Sequence, residues 1–166
     1  MERQSGAREI DVIYQGSRRV EVDDVRLLVY AERATNVFRF VDAVFDRKFG
    51  VAMESLHGLL DDGATASYLL GMLGRQVRLL FQAQEALSQG LTQEQVGSRV
   101  GLTSEFPLRL LIDQAKRQDP GGLLDFHQAL LEADLALKRG IMTEATALEL
   151  VVGQLSGIGT RIPLDH

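Results

Sequence analysis

The sequence predicts an all-α fold, a helical array with no sheet. Three observations carry this. Apolar residues recur at spacings of three and four along most of the chain. Only 3 prolines interrupt 166 residues. Capping residues open most of the periodic segments, and glycine closes several. No strand-like alternation of useful length appears. The principal domain is expected over residues 36–156, with about six to seven helices. Residues 1–35 read as an incomplete helical neighbour, since two helices are too little for a core of their own. Residues 157–166 read as a flexible tail.

The elements follow in order. A first helix is expected over residues 7–14, ending at Gln15-Gly16, where glycine suits a left-handed helix end. Residues 17–22 form a connector. Asp23 and Asp24 open the next helix, because acids favour the positive end of the helix dipole. Val25, Leu28 and Val29 give it an apolar face. Asn36 reads as the N-cap of a separate helix. Val37, Val41, Val44 and Phe45 share its inner side, with Phe38 and Phe40 flanking. After a break at 46–49, another helix runs to about Leu60, with Met53, Leu56, Leu59 and Leu60 inward, and Asp61-Asp62-Gly63 ends it.

The longest segment spans residues 65–89. It places Leu69, Leu73, Val77, Leu80 and Leu87 on one face, with Phe81 beside them, and Gly90 stops it. Its two glycines, Gly71 and Gly74, suggest close helix packing. Thr92 and Gln95 form a capping-box pair for a short helix that stops at Gly101. Thr103 or Ser104 caps the next helix. Pro107 sits in its first turn, and Leu108, Leu111, Ile112 and Ala115 line its inner face. The run Asp119-Pro120-Gly121-Gly122 reads as a turn. A helix over residues 123–139 then buries Phe126, Leu130, Ala133 and Leu137 and ends at Gly140. Thr143 caps the last helix, with Leu148, Val151, Val152 and Leu155 inward.

Composition excludes several function classes. The chain has no cysteine, so disulfide scaffolds, cysteine-based zinc sites and cysteine nucleophiles are all ruled out. No apolar run approaches the roughly 20 residues that a membrane helix needs. Residues 1–5 carry no signal-peptide core, and a cytoplasmic protein is the expectation. Net charge is −5. Residues 75–118 are mildly basic and residues 123–166 acidic, with no run of like charge. A protein that binds DNA by itself usually carries a basic stripe, and none is evident.

Local chemistry is equally sparse. His57, His127 and His166 are far apart in sequence, and no HExxH is present, so they read as helix-surface histidines. Asp23-Asp24 and Asp61-Asp62 have structural explanations at a helix start and a helix end. Neither GxxxxGK[ST] nor a strand-borne GxGxxG occurs, and GxSxG is missing. No cofactor, no metal and no catalytic residue is expected. The sharpest competing signal is a helix-turn-helix over residues 92–115, around Gly97 and Gly101. Its second helix opens with Glu105, Phe106 and Pro107, where base-reading side chains should project. A carboxylate repels phosphate, and Phe and Pro offer no hydrogen bonds to base edges. Arg109 is one suitable residue where three are needed.

The ordered series of segments resembles the delta subunit family of the bacterial DNA polymerase III clamp loader. Residues 36–45, NVFRFVDAVF, are similar to the NxFxLxDAL helix that opens that family's C-terminal domain, at Asn36, Phe38, Asp42 and Ala43. The long helix carries that family's Arg-Gln-Val-Arg centre, from Arg75 to Arg78. Residues 91–119 resemble its GLSxEEIAxxLGLxPFxxxRLLxQA section, which accounts for the helix-turn-helix layout without DNA reading. Residues 131–140, LEADLALKRG, are the most specific match, at Glu132, Asp134, Lys138 and Gly140, and LELVVGQL follows. Residues 7–30 resemble the end of a preceding lid domain. The chain departs from the family at Glu9-Ile10-Asp11, where a Glu-Lys pair is usual, and at Pro107.

The resemblance implies a non-catalytic subunit of a DNA polymerase holoenzyme, a nucleotidyltransferase assembly in which this chain has no active site. It implies residues 1–35 as part of a lid domain and 36–156 as a collar that assembles the five-subunit ring. The partners implied are the delta-prime and tau/gamma subunits. The family's clamp-opening, ATPase-like domain, itself without a working ATP site, is expected upstream of residue 1. Contact with the sliding clamp would then run through that domain, and contact with DNA would be indirect. Asp134 and Lys138, four apart with the acid first, also support their own helix.

Overall fold

A computed structural model of the chain describes residues 21–157. The helix expected over residues 7–14, its stop at Gly16, the departure at Glu9-Ile10-Asp11, the tail beyond Gly157 and His166 lie outside the described residues. The described residues form seven helices and no strand: α1 Val22–Phe45, α2 Phe49–Asp61, α3 Ala66–Ser88, α4 Gln93–Val100, α5 Glu105–Arg117, α6 Pro120–Lys138 and α7 Glu144–Leu155. The chain divides into two compact units, Met1–Asn36 and Val37–His166. No described helix is long and apolar enough to cross a membrane.

In the first unit, Asp23 and Asp24 occupy the first turn of α1, and Asp24 accepts from the Glu21 backbone N–H at 3.2 Å. The apolar face expected from Val25, Leu28 and Val29 is not a buried one. Val25 is half-buried, and Leu28 and Val29 are exposed, as are Leu27 and Tyr30.

Asn36 is not an N-cap. It lies inside α1, half-buried, and the helix runs through it. Nothing between Asp24 and Phe45 breaks a helix, and a cap residue type does not start a helix where no break precedes it. Its neighbour Thr35 adapts to the helix interior by donating from Oγ1 back to the Ala31 carbonyl at 2.9 Å.

The second unit holds one hydrophobic core with α3 at its centre. Helix α3 packs against α4, α5, α6 and α7, and α7 also meets α2 and α6. Leu69, Leu73, Val77 and Leu80 of α3 are fully buried, as the three- and four-residue spacing requires. From α1 the core takes Val37, Val41, Val44, Phe45 and also Phe40, which is 0% exposed and not a flanking residue. Phe38, one turn face away, is 54% exposed. The Phe45 and Phe126 rings stack, with centroids 4.7 Å apart and planes 15° apart.

Most helix starts sit where capping chemistry puts them. The Thr65 hydroxyl accepts from Tyr68 N–H, and Thr143 from Thr146 N–H. Thr92 and Gln95 form the complete reciprocal box. Ser104 holds the cap position of α5 without a side-chain hydrogen bond. Helix α6 begins three residues earlier than expected. Asp119 is its N-cap, accepting from Gly122 N–H, and Pro120 is its first residue, where a missing N–H costs nothing. Gly90, Gly101 and Gly140 end helices at positive φ.

Two distant contacts complete the frame. The Glu144 carboxylate accepts from the Ala66 N–H at 2.8 Å, so α7 supplies an anion to the start of α3. His57 of α2 meets Glu149 of α7 at 2.9 Å, both on the surface.

Candidate functional site

Helices α4 and α5 meet at a tight turn because Gly97 lets them. A Cβ at that position would lie 2.7 Å from the Leu102 carbonyl oxygen and 2.7 Å from Leu108 Cδ2. Gly101 then reverses the chain at φ 72°. The turn turns the buried side of α5, Leu108, Leu111, Ile112 and Ala115, onto the core. The opposite side presents Phe106, Pro107 and Leu110 outward.

Those outward residues are one wall of a groove of about 380 Å³. Phe38 of α1 and Leu79 of α3 form the facing wall. Phe106 is 62% exposed, so two half-bare phenylalanines flank the opening. The inner end of the groove is polar. Gln114 of α5 is the single buried polar side chain among the described residues, 4% exposed. It is satisfied twice, accepting from Gln76 Nε2 at 2.8 Å and donating from its own Nε2 to Asp42 Oδ1 at 3.0 Å. Burial pushes the Asp42 carboxyl above the usual carboxylate value. The Gln114 hydrogen bond opposes that shift, Asp46 adds to it and Lys48 opposes it. Arg75 stands at the rim, unpaired among the described residues. The Arg109 guanidinium lies 5.9 Å from the Phe106 ring centroid.

The residues singled out in the sequence therefore separate. Phe38, Asp42 and Arg75 come together at this groove. Arg78 and Asp134 line a different hollow of about 360 Å³ between α3 and α6. Gly71 and Gly74 lie along it, and the close packing expected of them is absent. A Cβ at Gly71 would meet nothing within 4 Å, and one at Gly74 only an Arg78 nitrogen at 3.8 Å. Asp134 pairs with Lys138 along α6. Glu132 accepts from Gln128 through Oε1, while its buried Oε2 finds no partner among the described residues. Gly140 closes α6, and Asn36 belongs to neither cavity.

Sequence reading missed Gln76, Gln114 and Leu110. Gln114 carried a usable signal: it sits between Leu111 and Ala115 on the apolar stripe of α5, where a polar residue needs a buried partner. What the groove can do chemically is bind. An apolar cleft with a few convergent polar groups is a recognition site, and its acceptors and cations include no nucleophile paired with a base.

The chain is similar to the curated DNA polymerase III subunit delta of Bacillus subtilis (strain 168), at 26% identity over 136 residues. That match covers 82% of this chain and 39% of the relative. It is also similar to a solved structure, the Bacillus subtilis DNA clamp loader delta protein, with TM-score 0.69 and 26% identity. Here 86% of this chain and 42% of that chain are covered. The chain thus spans about two fifths of the length of either. Residues 34–155 match the family described as DNA polymerase III delta subunit, C-terminal domain, and the chain belongs to that family.

Proposed function

We propose that residues 36–156 are a collar domain, which holds the clamp-loader ring together by packing against the tau/gamma and delta-prime subunits. The observation that carries this is the match of residues 34–155 to the C-terminal domain of the delta family. The all-helical build and the exposed leucines of α6, Leu124, Leu131 and Leu135, suit helix-to-helix association. Residues 1–35 are read as part of a lid domain. Opening of the sliding clamp is assigned to the part of the relatives that this chain does not match, and nucleotidyl transfer to other subunits of the polymerase. The chain then touches DNA only indirectly, in the cytoplasm, and needs no cofactor of its own.

Mixing the chain with delta-prime and tau/gamma subunits before size-exclusion chromatography tests the assignment. Co-elution with either is expected, and its absence from both would overturn the reading. The helix-turn-helix alternative over residues 92–115 is tested by fluorescence titration with duplex DNA. Its second helix turns Phe106, Pro107 and Leu110 toward an apolar groove, which gives base edges nothing to bond. Sequence-selective binding that persists at moderate salt would restore it.

A further inference from the structure

We propose that the groove between α1, α3 and α5 is a docking site for an acidic segment of a partner protein that inserts one aromatic side chain bearing a hydrogen-bond donor, tryptophan or tyrosine. The complementarity runs from the inner end outward. Inside, the Gln76–Gln114–Asp42 chain hands its hydrogen bonds inward and ends on a carboxylate. Asp42 Oδ2 and the Gln76 side-chain carbonyl accept nothing among the described residues, so the inner end offers two open acceptors, one of them on a carboxylate. A ring that carries an N–H or O–H fits this end, whereas a purely hydrocarbon side chain would strip water from a carboxylate without replacing its hydrogen bonds.

Midway, Phe38, Leu79 and Leu110 provide apolar walls, and about 380 Å³ accommodates a large side chain with part of its neighbours. At the rim the charge is positive. Arg75 lines the groove and has no partner among the described residues, and Arg109 stands outside the lining, its guanidinium 5.9 Å from the ring centroid of Phe106, which does line it. Carboxylates on either side of the aromatic anchor would complete both cations. Anchor, pocket and flanking charge are the parts of a compact recognition site whose energy concentrates in one residue.

The proposal does not rest on the collar assignment, and its test uses the 166-residue chain alone. A fluorescein-labelled peptide with one tryptophan between aspartates is titrated by anisotropy, beside three versions of it. These place alanine or phenylalanine at the tryptophan, or lysines at the aspartates. Saturable binding is expected for the tryptophan peptide. Phenylalanine should weaken it roughly tenfold through the lost hydrogen bond, and alanine or lysine should abolish it. In the protein, Leu110→Glu and Arg75→Glu change exposed positions and should each weaken binding roughly tenfold or more while the helical circular dichroism is retained. Absence of saturable binding, equal binding of the alanine peptide, or unchanged affinity in both variants would overturn the proposal. Leu110→Glu that loses the peptide yet still co-elutes with clamp-loader subunits would show a docking site separate from ring assembly. Loss of both would identify a clamp-loader subunit as the partner.

Discussion

Gln114 donates from Nε2 to Asp42 Oδ1 at 3.0 Å and so ties α5 to α1 across 72 residues of sequence. The bond satisfies the one buried polar side chain of the described core, and the energetic weight lies on the donor. In Asp42→Asn the side-chain carbonyl can still accept from Gln114, and the half-buried charge is gone. In Asp42→Leu the buried carboxamide loses its acceptor, at a cost of about 1–3 kcal/mol. Urea denaturation at neutral pH should find Asp42→Asn no less stable than the parent and Asp42→Leu less stable by that amount. Equal losses in both would show that the charge, not the acceptor, matters.

Asp42 also predicts a pH dependence. Its carboxyl is raised above 3.8 in the folded chain, mainly by burial. The folded state therefore holds the proton more tightly than the unfolded state, and protonation favours folding. This contribution is fully present below 3.8 and is lost as pH rises through the raised folded value. Denaturation of the parent and of Asp42→Asn across that window should show the parent losing ground to the variant with rising pH, then a constant difference. A constant difference throughout would remove Asp42 as the source.

The glycines of α3 and α4 predict opposite outcomes for the same substitution. At Gly97 a methyl group would press on the Leu102 carbonyl and on Leu108 at 2.7 Å, and a backbone oxygen cannot swing away. Gly97→Ala should destabilise the chain by about 1–3 kcal/mol. At Gly71 the methyl meets nothing within 4 Å. Gly71→Ala should gain up to about 1 kcal/mol from helix propensity alone. Thermal unfolding of the two variants in parallel checks both signs.

Legibility in the sequence followed the range of the cause. Helix starts at Thr92 and Thr143 were readable because a cap and its N–H partner lie within three residues. The stripe through Leu69, Leu73, Val77 and Leu80 was readable for a similar reason, since one face of one helix fixes it. Asn36 misled because capping preference was read without a break to require it, and Pro120 misled because Pro-Gly-Gly is turn chemistry that a helix N-terminus can also use. Gly71 and Gly74 misled because packing depends on what lies opposite, which no local pattern records. Of the candidate site, Asp42 and Arg75 were singled out only through a family resemblance, and Phe38 beyond that only as a flank of its helix's inner side. Their meeting with Leu110 and Gln114 depends on how α1, α3 and α5 pack, and residues some 30 to 70 apart leave no common period.

Gln84 predicts how the C-terminal end of α5 is held. Its Nε2 donates to the Ala115 carbonyl at 3.0 Å and to the Gln118 carbonyl at 2.7 Å, among the last carbonyls of α5 and its cap. A helix end leaves such carbonyls without intrahelical donors, and here α3 provides one. Gln118 in turn donates from Nε2 to the Phe45 carbonyl at 2.6 Å, so the end of α5 is fastened to α3 through Gln84 and to the end of α1 through Gln118. Gln84→Met keeps the length and the packing of the side chain and removes both donations. The part-buried carbonyls should then cost about 1–3 kcal/mol, and amide exchange should quicken first in the last turn of α5. Gln82, two residues earlier and exposed, is the control: Gln82→Met should stay within about 0.5 kcal/mol of the parent. Equal effects at the two positions would mean that Gln84 acts through helix propensity and not through the carbonyls it holds.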